Sequence, residues 1–373
     1  MNDTHILIVG AGPTGLACAL ELSRRGLKPR IIDKGSDFTP EAESRALGVN
    51  NRTLQLLAPS GVSAQLLAQG VKAKRVRMRN EKGRDVIKAG FDHPGALYPF
   101  VLILPQGRTE RILAAALRQY GVEIEWYKEV IATNGNPKKP VLDINAPDGL
   151  ESIRASKVIG ADGASSVIRN GFGFSFAGES YPTEFGLVDV ETVEPFATDE
   201  LFVDFSNDGV LARMPLGGNV CRYISPRADI SNMLPKDLEI KHLIWQSSFH
   251  INFRYVEKMQ RGSVFLAGDA AHIHSPVGAR GMNLGIEDAC WLAWMIHQNT
   301  DADYSKMRMP QVRMVIKQTR QQTDALLNLG GFGRFARDHL ANTLLKIPAF
   351  KKRALTRVTG LDTPEPPWID GSV

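Results

Sequence analysis

The sequence predicts an α/β fold in which a parallel-sheet domain is interrupted by a mostly β insertion and followed by C-terminal helices. Three observations lead there. A continuous apolar run, His5-Ile-Leu-Ile-Val9, passes directly into a glycine-rich turn and then a stretch of helical period. A second apolar run, Val264 to Ala267, delivers another glycine-bearing turn followed by a long apolar helix from about Leu284. Between them, residues 174–258 change to short, turn-punctuated segments that read as strands: Glu200 to Phe205, Gly209 to Leu216 and Asn219 to Ile224.

The first turn is Gly10-Ala-Gly12-Pro-Thr-Gly15, before a helix expected over Leu16 to Arg25. Gly10 allows the tight turn, Gly12 lets backbone amides approach a pyrophosphate, and Gly15 allows close packing of helix on strand. The helix N-terminus then offers unpaired N–H groups to phosphates. The next strand, Arg30-Ile-Ile-Asp33, ends in an acid about 20 residues on, where a carboxylate can bond a ribose hydroxyl. Lys34 follows it and joins the candidate cofactor contacts. Strand, turn, helix, strand and terminal acid in register favour a nucleotide site over an ordinary glycine turn.

The downstream segment decides which nucleotide. Arg261-Gly-Ser-Val-Phe-Leu-Ala-Gly268-Asp269-Ala-Ala-His272 continues through Pro276 and Arg280 to Gly281-Met282-Asn283. A simple NAD dehydrogenase has no use for it. Asp269 at a strand end can bond polyol hydroxyls, and the amides of Gly281, Met282 and Asn283 at a helix N-terminus can stabilise negative charge on a reduced isoalloxazine. One extended dinucleotide held at both ends, with adenine at the first segment and flavin at the second, is FAD in a Rossmann-type domain. His272 and His274 lack a ligand set for a metal, and none is expected.

On these motifs the chain resembles the single-component FAD-dependent aromatic hydroxylases typified by para-hydroxybenzoate hydroxylase, and the likeness covers nearly the whole chain. Ile159-Gly-Ala-Asp162-Gly163 through Arg169 resembles the family's central Asp-Gly motif, which in relatives serves both FAD and the passing nicotinamide cofactor. Ser44-Arg45-Ala46 resembles the arginine segment on the flavin side, and Gln106 with Glu110-Arg111-Ile112-Leu113 the segment of the FAD-contacting glutamine. The resemblance implies a monooxygenase. NADH or NADPH reduces FAD, O2 forms a flavin C4a-hydroperoxide, and an aromatic or polyketide-like small molecule is hydroxylated. Pro276 and Gly281 stand on the catalytic side of such a site, and Arg213, the one charge in an otherwise apolar strand, is the candidate substrate contact. Many relatives carry Gly-Gly-Gln-Gly-Met-Asn where this chain has Gly278-Ala-Arg280-Gly-Met-Asn283, so Arg280 either favours an anionic reduced flavin or points into solvent. Asp33 stands where many have Glu.

Organisation follows the same logic. Residues 1–72, 105–173 and 259–300 read as three parts of the FAD domain; 73–104 and 174–258 as substrate-domain strands; and 301–373 as C-terminal basic helices and tail. Helices are expected over Thr109 to Tyr120, Asp303 to Leu327 and Phe332 to Lys346. A hydrophobic content of 43% with 23% charged residues is that of a globular protein. Cys18, Cys221 and Cys290 lack metal-ligand spacing and read as buried thiols of a cytoplasmic protein. The strand at the N-terminus leaves no room for a signal peptide, and no apolar run reaches transmembrane length. The net charge of +5 comes from the C-terminal region, where residues 301–360 hold 12 Lys and Arg against 4 Asp and Glu. A solvated helical face is the first reading; peripheral membrane contact and guidance of the anionic nicotinamide cofactor are the sharper ones. No nucleic-acid module is recognised, and a monomer or homodimer is expected. A reductase or oxidase on the same scaffold, or a flavin-bound auxiliary protein without turnover, stays open as an alternative.

Overall fold

The computed structural model describes residues 2–43, 46–92, 96–196, 199–206, 209–327 and 347–369. Arg45, His93, the expected helix over 332–346 and the last four residues lie outside them.

The apolar runs read from the sequence become the centre of an eight-stranded sheet. Its path runs Gln260–Arg261, Val264–Leu266, Gly149–Gly160, Asn2–Val9, Arg30–Ile32, Ile124–Glu125. Val9 pairs with both Gly160 and Ile32, and Gly160 pairs with Leu266, all in parallel. Four strand ends are thereby level. The residues that follow them, Gly10, Asp33, Asp162 and Gly268, line one edge of the sheet, at the carboxyl ends where ligands of open α/β sheets bind. Two antiparallel strands, Val141–Ala146 and Glu129–Asn134, extend from the long central strand.

The helices Pro13–Arg24 and Gly281–His297 pack against this sheet and against each other, with Leu16, Leu20, Leu22, Ile286 and Ala289 inaccessible to solvent. Each such Leu or Ile side chain contributes about 1.5–3 kcal/mol through burial. The first helix begins at Pro13, inside the glycine segment, and the helix expected from about Leu284 begins at Gly281. Both starts bring helix N-termini closer to the sheet edge than the apolar periodicity alone implies. The helix expected from Thr109 likewise begins earlier, at Gln106.

A second eight-stranded sheet holds the insertion, in the order His272–Ile273, Ile240–Tyr255, Ala177–Thr192, Val220–Ser225, Gly209–Gly217, Glu200–Ser206, Arg75–Arg79, Asp85–Gly90. The segment expected as insertion strands over 73–104 divides. Arg75–Arg79 and Asp85–Gly90 join this sheet, whereas Val101–Ile103 pairs with Gly48–Val49 and Val71–Ala73 in a small sheet of its own. One face of the insertion sheet packs Met214 and Leu216 against Leu47, Phe91, Val101 and Ile103. The other face carries Val188, Val190, Leu211, Cys221 and Tyr223 under Ile230, Met233 and Leu234. All three cysteines are buried and free. Among the described residues no helix is long and apolar enough to cross a membrane.

Candidate active site

At the first glycine turn the geometry matches the residue types. A Cβ on Gly10 (φ +106°) would lie 2.3 Å from the Ala161 carbonyl oxygen, and one on Gly15 1.9 Å from that of Gly10, whereas Gly12 has open space around it. Asp33 does more than wait for a ribose. Its carboxylate accepts the Ala11 N–H at 2.6 Å and the Gly35 N–H at 2.7 Å, tying the turn to the end of the second strand. Each oxygen retains a lone pair for a hydroxyl. Lys34 is exposed beside it.

Gln106 opens the helix Gln106–Arg118 and donates Nε2 to Glu110 at 2.8 Å. Glu110 also accepts the backbone N–H and hydroxyl of Thr39, and its burial raises its carboxyl pKa. Gln106 donates its backbone N–H to Ala46, so it stands beside the segment that carries Arg45.

Asp162 accepts Ser166 Oγ at 2.6 Å and the Ile168 N–H at 3.1 Å, capping the short helix Val167–Gly171; burial raises its pKa. Arg169, the other motif residue, is 5% exposed and stacks over Phe176 at 3.8 Å. Its Nη1 donates to the Ala270 carbonyl at 3.2 Å and its Nη2 to that of Ala164 at 2.9 Å. These contacts hold the motif loop in place. Arg169 does so through carbonyls and not by a salt bridge, and it binds the Asp162 segment to the Gly268 segment.

Asp269 is the exposed residue of the second turn, between buried Gly268 and Ala270, and no described residue donates a hydrogen bond to its carboxylate. The surrounding protein desolvates it and raises its pKa, with nearby His272 acting in the opposite direction. Beneath Asp269 runs a buried network that the sequence reading missed. His272 Nε2 meets Asp288 Oδ2 at 2.6 Å, Arg308 Nε donates to Asp288 Oδ1 at 2.8 Å, and Arg308 Nη1 donates to Glu287 at 2.8 Å. Two adjacent acids on an otherwise apolar helix were the available signal, since buried carboxylates require a buried cation.

The helix Gly281–His297 makes its first intrahelical bond from Leu284 N–H to Arg280, leaving the amides of Gly281, Met282 and Asn283 directed outward. The Asn283 side chain is fully engaged. It accepts from Asn50 N–H and Thr53 Oγ1 and donates to Gly48 and Ala279, so only its backbone is available to a ligand. Pro276 is exposed in the loop before the helix. His274 in the same loop bonds the Ser275 carbonyl through Nδ1 at 2.9 Å, and burial lowers its pKa to about 4, so the ring is neutral near pH 7.

Two expectations are corrected here. Arg280 does not point into solvent: it is 4% exposed, donates to Asp362 at 2.9 Å and also bonds the Arg357 carbonyl. Arg213 lies between the rings of Phe196 and Phe202, at 4.8 and 4.2 Å, opposite Tyr223. That is the sheet face turned away from Met214 and the nucleotide domain, so a substrate held between the sheet and that domain would not meet it. Strand alternation shows which residues share a face but not which face looks inward.

Residues 3–305 match the family model described as FAD binding domain. The chain belongs to this family, that of the FAD-dependent aromatic hydroxylases. It is 30% identical over 78% of its length to a flavin-dependent monooxygenase of Mycobacteroides abscessus, covering 66% of that protein. It is also 30% identical over 79% of its length to 6-methylpretetramide 4-monooxygenase of Streptomyces rimosus, covering 56% of it. The chain thus spans somewhat over half the length of these relatives. Among solved structures, an aromatic hydroxylase from angucycline biosynthesis aligns with a TM-score of 0.81 at 27% identity, over 98% of this chain and 77% of the other.

FAD fits the residues present. The open space at Gly12, the unpartnered carboxylate of Asp269 and the outward amides of Gly281 to Asn283 supply a diphosphate approach, a polyol acceptor and anion-stabilising donors. A surface cavity of about 710 Å³ lined by Lys138, Phe174, Lys258 and Arg261 lies by the N-terminal end of the strand Val264–Leu266 and is no part of this site.

Proposed function

We propose that the chain is a monooxygenase that uses NADH or NADPH and O2 to hydroxylate an aromatic or polyketide-like small molecule. The carrying observation is the level register of Gly10, Asp33, Asp162 and Gly268 along one sheet edge, with the unpartnered Asp269 among them. The named activities of the relatives support the reaction type. Bound FAD supplies hydride acceptance and, once reduced, the activation of O2.

The chain's own residues do the rest. The outward amides at Gly281 to Asn283 stabilise negative charge without reorganising, and His274 in the same loop, held neutral by burial, leaves that task to them. Only one dinucleotide fingerprint is present, so the nicotinamide cofactor docks transiently. The cleft near Asp162 is the candidate place, where burial and then nearby Arg254 disfavour the charge on Arg169. The substrate pocket is assigned to the inner face of the insertion sheet, the side of Met214 and Leu216, whose apolar lining against the nucleotide domain excludes water. Cytoplasmic pools of reduced nicotinamide suit such an enzyme.

A substrate screen for stimulated NAD(P)H oxidation tests the reading, with O2 uptake followed in parallel. A hydroxylase couples both to one substrate. Consumption that persists without O2 and leaves the substrate saturated or reduced favours a reductase, and no consumption with any candidate favours an auxiliary protein.

A further inference from the structure

Resting on the reading of the loop before Gly281 as the flavin-ring side of the site, we propose that Asp362 is a positioning residue. Acting through Arg280, it makes the C-terminal turn of the chain a working part of that site.

The loop needs holding. Ala279 has φ +51°, the left-handed region that a residue with a Cβ enters only when its surroundings enforce it. Three contacts do so. Asn283 Nδ2 donates to the Ala279 carbonyl at 2.6 Å, Gly48 approaches so closely that a Cβ there would lie 2.8 Å from the Ala279 Cβ, and Arg280 is drawn to Asp362. The first two come from the nucleotide domain; only the third is a charge pair. It is also dry, with side-chain exposures of 4% and 12%. A desolvated pair with a hydrogen bond acts far more strongly than one on the surface.

The C-terminal turn is itself anchored. The helix Pro348–Thr359 ends at Gly360 in the left-handed region, where a Cβ would lie 2.6 Å from Asn50 Nδ2. Arg52 donates to the Thr363 carbonyl at 3.3 Å, and Trp368 stacks on Trp294 with ring centroids 5.2 Å apart. Asp362 is thus a fixed post. Arg280, which takes its position from that post, immediately precedes the outward amides of Gly281 to Asn283.

The test uses the full chain with FAD as the probe. Asp362→Asn keeps the shape of the side chain and removes its charge; Arg280→Gln removes the partner without leaving a buried cation. Both are expected to raise deuterium exchange across 275–283 in the apoprotein, to weaken FAD binding about tenfold by fluorescence titration, and to make the flavin midpoint potential more negative, because misaligned donors stabilise the reduced ring less. Asp362→Glu should recover part of each effect. The potential is read on folded, FAD-saturated protein, where a general loss of stability does not move it. Wild-type exchange and wild-type potential in Arg280→Gln overturn the proposal. Failure of the wild-type chain to bind FAD overturns the reading of the site instead, while exchange across 275–283 still reports on the pair.

Discussion

Thr14 and Gly285 are in contact: a Cβ built on Gly285 would lie 2.4 Å from Thr14 Oγ1, and one on Gly268 would lie 2.5 Å from the same oxygen. Thr14 belongs to the first glycine turn, Gly268 to the second, and Gly285 to the helix that presents the outward amides. One threonine side chain therefore sets the distance between the two halves of the cofactor site. Gly285→Ala should destabilise the protein by about 1–3 kcal/mol, the usual range for overpacking. Urea denaturation measures it. In the double variant Thr14→Ser with Gly285→Ala, loss of the threonine methyl lets the hydroxyl turn aside, and part of the stability should return. Equal losses in the single and double variants would show that the contact relaxes some other way.

Asp269→Asn separates stability from binding. The wild-type carboxyl is raised by desolvation, so the folded apoprotein binds a proton more readily than the unfolded chain does. A raised carboxyl pKa means stability lost as pH rises through the window between the two values. Removing the charge should leave apoprotein stability at pH 7 equal to or above that of wild type. FAD affinity should fall by about 1.5–3 kcal/mol, the range for hydrogen bonds to a charged partner. Thermal scans of apoprotein and titration with FAD provide both numbers, and a fall in the two together would place Asp269 in the scaffold.

The parts of the site legible in the sequence are those whose chemistry demands a residue type at a fixed local spacing. Gly10, Gly15, Asp33 and Asp269 are of this kind, because a turn, a close approach and a strand end are all defined within a few residues. The long side chains were not legible. Arg280 is claimed by Asp362, 82 residues away, and Arg169 by Ala270, 101 residues away, so their directions depend on contacts that no local pattern encodes. The longest strands were also obscure. Ile240–Tyr255 is exposed along most of its first half, so burial imposes no clean alternation there.

Arg308→Met should cost about 3–5 kcal/mol, because it leaves Glu287 and Asp288 buried without their cation. Burial by itself works upward on the Asp288 pKa, but Arg308 and then His272 outweigh it and hold the carboxyl below its usual range. With the folded value depressed, the stabilisation is complete above the unfolded value of about 3.9 and is lost as pH falls through the folded one. Wild-type stability should therefore decline on acidification below about pH 4, and the variant should show less of that decline. Denaturant titrations from pH 3 to pH 7 check the sign; parallel curves would mean that Asp288 does not titrate in this window.

Arg169→Ala tests whether one side chain unites the two loops that face the cofactor. Its guanidinium donates to Ala164 in the Asp162 segment and to Ala270 in the Gly268 segment, and it does not pair with a carboxylate. A residue reserved for the passing nicotinamide cofactor would leave FAD in place when removed. A residue that bridges the loops cannot, since losing two charge-assisted hydrogen bonds and the stack on Phe176 frees Ala270 next to Asp269. Arg169→Ala should thus weaken FAD binding by about 1.5–3 kcal/mol as well as slowing reduction by NAD(P)H. Equilibrium dialysis of FAD and stopped-flow reduction of the FAD-saturated variant separate the two effects. Retention of wild-type FAD affinity with slowed reduction would return Arg169 to the nicotinamide side of the cleft.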